Sequence, residues 1–196
     1  MLEYVAGETA MPFTDGTEAD PDAFSEIGRI IRELHDILES FNPPVDANWQ
    51  CPIPSNGADL VIHNDLAPWN LIRSSERLVF IDWDGAAPGT RLWDLSYAAH
   101  AFVSLQPTTD VDDAGRDLRG LVDGYGLGSD ARIALIDLLV PRTMSMYDLL
   151  AGGHATGTEP WATLWSEGHG DVWREDAEWI RDHRDALSDW LTPGGA

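Results

Sequence analysis

The 196-residue chain is 43% hydrophobic and 23% charged, which predicts one ordinary globular domain with a sizeable core rather than a disordered protein. Its 34 acidic and 12 basic residues give a formal net charge of −22, which disfavours nucleic acid and anionic membranes as partners because both are negatively charged. No apolar run approaches the roughly 18 residues of a membrane span. The amino terminus has no basic region of a signal peptide, and the single cysteine cannot form an internal disulfide, so we expect a cytoplasmic location.

The first part of the chain predicts one long helix. Residues 7–20 are rich in Gly, Thr, Asp and Pro, which indicates a loop. Asp20 followed by Pro21 predicts a helix start, because a carboxylate caps the first amides and proline fits the first turn. Apolar residues then recur at helical spacing until about Ser40, and the prolines of segment 42–44 end the helix.

Short strands come next, followed by helices. Apolar runs predict strands at 60–62, 71–72 and 78–81, the last two forming a hairpin. Beyond Gly89, helical periodicity predicts helices at about 91–103, 112–125, 130–150 and 172–191. The predicted fold class is therefore α+β, a mostly helical domain in which a few short strands present one polar loop.

That loop, residues 63–70, reads His-Asn-Asp-Leu-Ala-Pro-Trp-Asn and has the spacing of a kinase catalytic loop, H-x-D-L-x-x-x-N. The hairpin returns the chain to a second aspartate, Asp82. Magnesium prefers oxygen ligands, which Asn70 and Asp82 provide, while Asp65 is placed to orient and deprotonate an acceptor hydroxyl. His63 would brace the loop. Alternatively, such loop residues satisfy only local backbone groups, although the complete set favours a kinase-type site.

These motifs resemble those of the aminoglycoside phosphotransferase and choline kinase family, whose loop reads H-G-D-x-x-x-x-N and is followed by I-D-W. Segment 89–96 is similar to that family's G-x-x-x-x-D-L-A element, and Leu34-His35 resembles its leucine-histidine pair. The resemblance extends from the first residues to about Ala99. It implies a protein-kinase-like fold, ATP (or GTP) as phosphoryl donor, Mg²⁺ as cofactor, and a bracing role for Asp94.

The sequence departs from the family pattern in three ways. Asn64 replaces a usual glycine, and Ala67 offers no side chain to the transferring phosphate. All 12 basic residues are arginines, so the chain has no lysine for nucleotide phosphates. Residues 1–8 resemble the hinge between the two lobes of such kinases, and we expect residues 9–196 to form the carboxyl-terminal catalytic and substrate-binding lobe, with the amino-terminal nucleotide-binding lobe absent.

The expected acceptor is a hydroxyl of a small molecule. A cationic, aminoglycoside-like acceptor would suit the acidic chain, although acidic charge more often serves solubility or salt tolerance. The candidate substrate-binding residues are Glu159, Trp161, Trp165 and Asp171, which would provide carboxylates and an aromatic box for a cation. The alternative is that the tryptophans are helix-packing residues and the carboxylates form a solvated helix face.

Three hypotheses follow for the chain as a whole. It is a piece of a full phosphotransferase, a half-kinase completed by another subunit, or a non-catalytic module that binds a small molecule or protein. In the second case we expect a partner lobe, or a homodimer, over the exposed surface between lobes. The intact set of Asp65, Asn70 and Asp82 favours the first two hypotheses over the third.

Overall fold

The structure, a computed structural model, describes residues 5–10, 21–55, 57–74 and 77–192. Within them the chain forms seven α-helices, one short 3-10 helix (Pro68–Asn70) in the polar loop, and two small antiparallel sheets. The strands are β1 (Glu8–Thr9), β2 (Leu60–Ile62), β3 (Leu71–Arg73), β4 (Leu78–Phe80) and β5 (Ala87–Gly89). The helices are α1 (Pro21–Glu39), α2 (Arg91–Val103), α3 (Val111–Tyr125), α4 (Ser129–Thr156), α5 (Trp161–Ser166), α6 (His169–Asp182) and α7 (Arg184–Leu191). The predicted mostly helical α+β class is confirmed.

Helix α1 forms where apolar periodicity predicted it, and it buries that apolar face. Phe24, Ile27 and Ile31 are at most 2% exposed and belong to the main hydrophobic core. The helix lies directly against α3, because a Cβ at Gly28 would meet the α3 backbone and a Cβ at Gly124 would meet the α1 backbone. The predicted cap at Asp20 lies outside the described residues.

The polar loop connects the two sheets: strand β2 precedes it in the chain, and strand β3 follows it. Strands β3 and β4 form the predicted hairpin, with Leu71 opposite Phe80, and β1 pairs with the other edge of β3. The sequence had predicted a loop from residue 7, but Glu8–Thr9 is a strand, while residues 11–20 lie outside the described residues. Strand β2 pairs with β5, which was not predicted because its Ala-Pro-Gly sequence has low strand propensity.

The prediction of one helix over residues 172–191 was wrong, because the chain turns at His183 between α6 and α7. The backbone amide and ring Nδ1 of His183 both donate to the Trp179 carbonyl oxygen, at 3.1 and 2.8 Å. The turn directs Leu187 and Leu191 of α7 into the main core, where both are at most 1% exposed. The short helix α5 was also missed.

Among the described residues, no helix combines the length and apolar character that crossing a membrane requires.

Candidate active site

The polar loop is held in place by one buried carboxylate. Asp94, in the first turn of α2, is completely buried and accepts the backbone amides of His63 at 3.0 Å and Asn64 at 2.7 Å. A carboxylate satisfies such amides strongly because hydrogen bonds to an ionised acceptor are charge-assisted. Asn64 has a φ of 69°, a left-handed conformation that asparagine and glycine adopt more readily than other residues. This explains why asparagine is tolerated at the position where the family that this loop resembles has glycine.

A histidine of α1 supports the same carboxylate. His35 is completely buried, and its Nε2 donates to Asp94 Oδ2 at 3.1 Å, because an ionised carboxylate can only accept. The other ring nitrogen, Nδ1, is 2.8 Å from the Tyr125 hydroxyl of α3. The loop is thereby connected to the packed helices α1, α2 and α3.

His63 joins the loop to the end of the hairpin. Its Nε2 donates to the Ile81 carbonyl oxygen at 3.0 Å, and its Nδ1 accepts the Asp65 backbone amide at 3.3 Å. The two contacts require a single tautomer, with the proton on Nε2. The ring packs beside Trp83, with centroids 4.5 Å apart. His63 therefore sets the distance between the loop and the chain segment that carries Asp82.

Asp65 is half-buried at the centre of the site. Its carboxylate oxygen Oδ2 accepts from Asn70 Nδ2 at 2.7 Å, and its backbone carbonyl oxygen accepts from the same amide at 3.1 Å. Burial raises the pKa of the Tyr97 hydroxyl, and the nearby negative charge of Asp65 raises it further. Tyr97 therefore stays protonated at neutral pH beside the Asp65 carboxylate.

Asn70 and Asp82 have a donor set that fits one magnesium ion. The amide nitrogen of Asn70 is occupied by Asp65, so its oxygen Oδ1 is the atom left to act as a ligand. The Asn70 carbonyl oxygen accepts the Ile81 amide at 2.9 Å, which places Asp82 one residue beyond this contact. Asp82 is exposed, has a φ of 64°, and its carboxylate accepts no hydrogen bond from another described residue.

The remaining ligands of such an ion would have to come from outside these two side chains. Among the described residues, no group of three or more His, Cys, Asp or Glu side chains could hold a metal. Magnesium commonly binds through one or two protein oxygens together with substrate phosphates and water. The pair is therefore suited to a metal that arrives with a phosphorylated substrate, not to a closed structural metal site.

Arg142 of α4 is a site residue that the sequence analysis missed. It is 2% exposed, and its Nη2 donates to the Asn64 carbonyl oxygen at 3.0 Å. Its guanidinium lies over the Tyr97 ring at 4.3 Å, and burial lowers the pKa of this side chain. A signal existed, since Arg142 follows Leu135 and Leu139 at the spacing of one helix face, where a cation is unexpected.

A cavity of about 700 Å³ opens beside Asp65. Of the four predicted substrate-binding residues, Trp161 lines it and the others lie elsewhere among the described residues. Glu159 accepts the Thr163 backbone amide at 3.2 Å, and Asp171 pairs with Arg174 at 3.2 Å. The ring of Trp165 stacks on the imidazole of His154, with centroids 5.7 Å apart.

Comparison with known proteins gives three matches. The sequence model of the Phosphotransferase enzyme family (APH) matches residues 21–131, more than half of the chain. The Trifolitoxin immunity protein of Rhizobium leguminosarum bv. trifolii is 27% identical over 206 residues, covering 92% of this chain and 76% of that protein. A choline/ethanolamine kinase family protein from Mesorhizobium loti superposes with a TM-score of 0.40 at 14% identity. That match covers 88% of this chain, which spans only 60% of the solved kinase-family chain.

Proposed function

The chain belongs to the Phosphotransferase enzyme family, and we propose that it transfers the γ-phosphoryl group of ATP to a hydroxyl of a small molecule. The observation that carries the proposal is the arrangement of Asp65, Asn70 and Asp82 around a loop held by the buried Asp94 carboxylate. Phosphoryl transfer depends mainly on positioning and on charge stabilisation, and a loop anchored at both ends supplies positioning.

In this mechanism Asp65 is the base. Its carboxylate orients the acceptor hydroxyl and takes its proton as the hydroxyl oxygen bonds to the γ-phosphorus. The bond from that phosphorus to the β–γ bridging oxygen breaks, and the nucleoside diphosphate leaves. The hydrogen bond from Asn70 to Oδ2 keeps the carboxylate in one orientation, so its other oxygen is left for the hydroxyl.

Asn70 Oδ1 and the Asp82 carboxylate would hold Mg²⁺, whose chemistry is to neutralise charge on the transferring phosphates. The exposure of Asp82 supports this role, because a ligand for a metal bound to nucleotide must be reachable from solvent. His63 and Asp94 would act through other residues. Asp94 holds the backbone of the loop, and His63 fixes the distance between the loop and the end of the hairpin.

The proposal assigns residues 9–196 to the carboxyl-terminal lobe of a protein-kinase-like fold and residues 1–8 to its hinge. Since the chain contains 12 arginines and no lysine, the usual lysine contact to the nucleotide phosphates would have to come from a lobe outside these 196 residues. ATP or GTP would serve as donor. The observed anchoring of the loop does not depend on such a lobe.

Calorimetric titration with ATP, with and without magnesium, tests the metal pair. We expect magnesium-dependent binding that weakens at least tenfold in Asp82→Ala. The matched control is Asp59→Ala, an exposed aspartate beside the β2–β5 sheet whose backbone amide bonds to the Gly89 carbonyl oxygen. Equal loss in both variants, or no effect of Asp82→Ala on ATP binding, would contradict the proposed metal site.

Substitution of the proposed base separates binding from chemistry. Asp65→Asn should leave ATP binding within a few-fold of the unmodified chain, because Asp65 is not assigned to the metal. Transfer to an acceptor should fall by about 10²–10⁴-fold, the usual contribution of a general base. If no ATP bound under any condition while cavity ligands still did, the chain would not be a kinase by itself, and a missing nucleotide-binding lobe or a non-catalytic binding role would replace the present assignment.

A further inference from the structure

The cavity beside Asp65 has two walls of opposite chemistry. One wall, which we call the apolar wall, is formed by side chains of α4, α5 and α6. Its members are Met146, Leu149, Leu150, Trp161, Leu164 and Trp173. The opposite side carries the loop residues Asn64 and Asp65 and the exposed Asp84. A ligand that filled the cavity would therefore meet carboxylates from the loop side and mainly carbon-rich surface from the helices, whose polar lining residues are Arg142 and His169.

The absence of acidic residues from the apolar wall contrasts with the charge of the whole chain, −22. No carboxylate of α4, α5 or α6 is itself in the lining: Asp148 is exposed, Asp171 pairs with Arg174, and Asp176 accepts from His100 at 2.9 Å. An acidic group close to the wall is Glu167, which pairs with the lining residue His169 at 3.7 Å. The deeply buried charge in the lining is instead a cation, Arg142, at 2% exposure. An ammonium group against this wall would lose its hydration and gain no carboxylate.

The aromatic rings of the wall do not replace those carboxylates. Trp173 stacks on His100 with centroids 4.7 Å apart and lies beside Tyr97 at 6.4 Å, so one of its faces is already covered. Trp161 packs at its Cβ against Gly153, where an added Cβ would meet it. Both residues are partly buried and offer mainly apolar contact area.

From this two-sided lining we infer that the acceptor is a neutral alcohol with an apolar body, whose hydroxyl lies at Asp65 and whose body lies on the apolar wall. The inference rests on the proposed phosphotransferase function and names its substrate class, in place of the cationic class suggested by net charge. The cavity volume of about 700 Å³ is within the ordinary range for small-molecule sites. Apolar contact with the wall supplies the affinity, and the Asp65 carboxylate selects the hydroxyl.

Two probes built on the same carbon chain separate the two substrate classes. Octan-1-ol and 8-aminooctan-1-ol share a hydroxyl and a carbon chain and differ in a terminal ammonium at neutral pH. Binding is followed by tryptophan fluorescence, since Trp69, Trp161 and Trp173 line the cavity, and by calorimetry. We expect octan-1-ol to bind at least tenfold more tightly. Equal affinity, tighter binding of 8-aminooctan-1-ol, or no binding of either within its solubility would overturn the inference.

A charge placed on the apolar wall should reverse the preference. Leu164→Glu introduces a carboxylate at a partly exposed position of the wall, so the variant should still fold. It should bind octan-1-ol more weakly and 8-aminooctan-1-ol more tightly, and the ratio of the two dissociation constants should change by at least tenfold. The control Ile133→Glu adds the same charge to α4 outside the cavity, at a residue that is 47% exposed, and should leave the ratio unchanged. The same change of ratio in both variants would refute binding at this wall.

These measurements use no nucleotide, so they separate the acceptor class from the proposed reaction. A preference for octan-1-ol together with no binding of ATP would keep the ligand class of the cavity and remove the assignment of phosphotransferase activity to this chain alone. Magnesium-dependent ATP binding together with a preference for 8-aminooctan-1-ol would keep the proposed phosphotransferase function and overturn the neutral, apolar acceptor class.

Discussion

Replacing Asp94 by asparagine tests whether one carboxylate holds the catalytic loop. In the native chain Oδ2 accepts from the His63 amide and from His35 Nε2, and Oδ1 accepts from the Asn64 amide. Asp94→Asn keeps the size of the side chain but turns one oxygen into an amide that donates. In the better of its two orientations the amide nitrogen faces the Asn64 amide, and two of the three hydrogen bonds remain.

The magnitude follows from what is lost. One charge-assisted hydrogen bond contributes about 1.5–3 kcal/mol, and a buried donor left without an acceptor costs about 1–3 kcal/mol. The site is 0% exposed, so water does not replace the lost partner. The sum is roughly 2.5–6 kcal/mol of unfolding free energy. For a domain of this size each kcal/mol lowers Tm by about 2–4 °C, so we expect a decrease of about 5–24 °C.

Thermal and urea unfolding followed by tryptophan fluorescence measure this change, since the chain contains nine tryptophans. The control is Asp148→Asn, the same substitution at an exposed residue of α4, which should change stability by no more than about 0.5 kcal/mol. If Asp94→Asn lowered Tm no more than this control does, the Asp94 carboxylate would not be the anchor of the loop.

Three further perturbations test the packing around the site. Gly28→Ala should destabilise the chain by at least about 2 kcal/mol in urea unfolding, because the added Cβ would meet the α3 backbone. The control Gly152→Ala has open space around the added Cβ and should be neutral or stabilising. Similar urea midpoints for the two variants would contradict the close contact of α1 and α3. Arg142→Met should cost about 1–3 kcal/mol because the Asn64 carbonyl oxygen loses its donor, and an unchanged urea midpoint would refute that role. Burial raises the pKa of Cys51, so less thiolate is present at a given pH. At pH 8 its reaction with a thiol reagent should be slower in the folded chain than in urea, and slower again with octan-1-ol in the cavity; equal rates would show that Cys51 is freely exposed.

Local sequence was sufficient to predict the loop and the elements beside it. Asp65 and Asn70 are five residues apart, and a turn of that length leaves few ways to place them, so their contact follows from spacing. Helix α1 and the β3–β4 hairpin were predictable for the same reason, because apolar period and turn composition are properties of short segments. The roles assigned to these residues in catalysis stay predictions.

Contacts between distant segments were decided only by the tertiary structure. Arg142 reaches the Asn64 carbonyl oxygen across 78 residues of sequence, and nothing local to either residue encodes that pairing. The turn at His183 and the apolar wall of the cavity also depend on how α4, α6 and α7 pack. Net charge suggested a cationic substrate because composition averages over the whole surface, whereas a binding site is formed by the few side chains that packing directs into one cavity. The sequence therefore determined which chemical groups the loop carries, and the packing of distant helices decided the surroundings in which those groups lie.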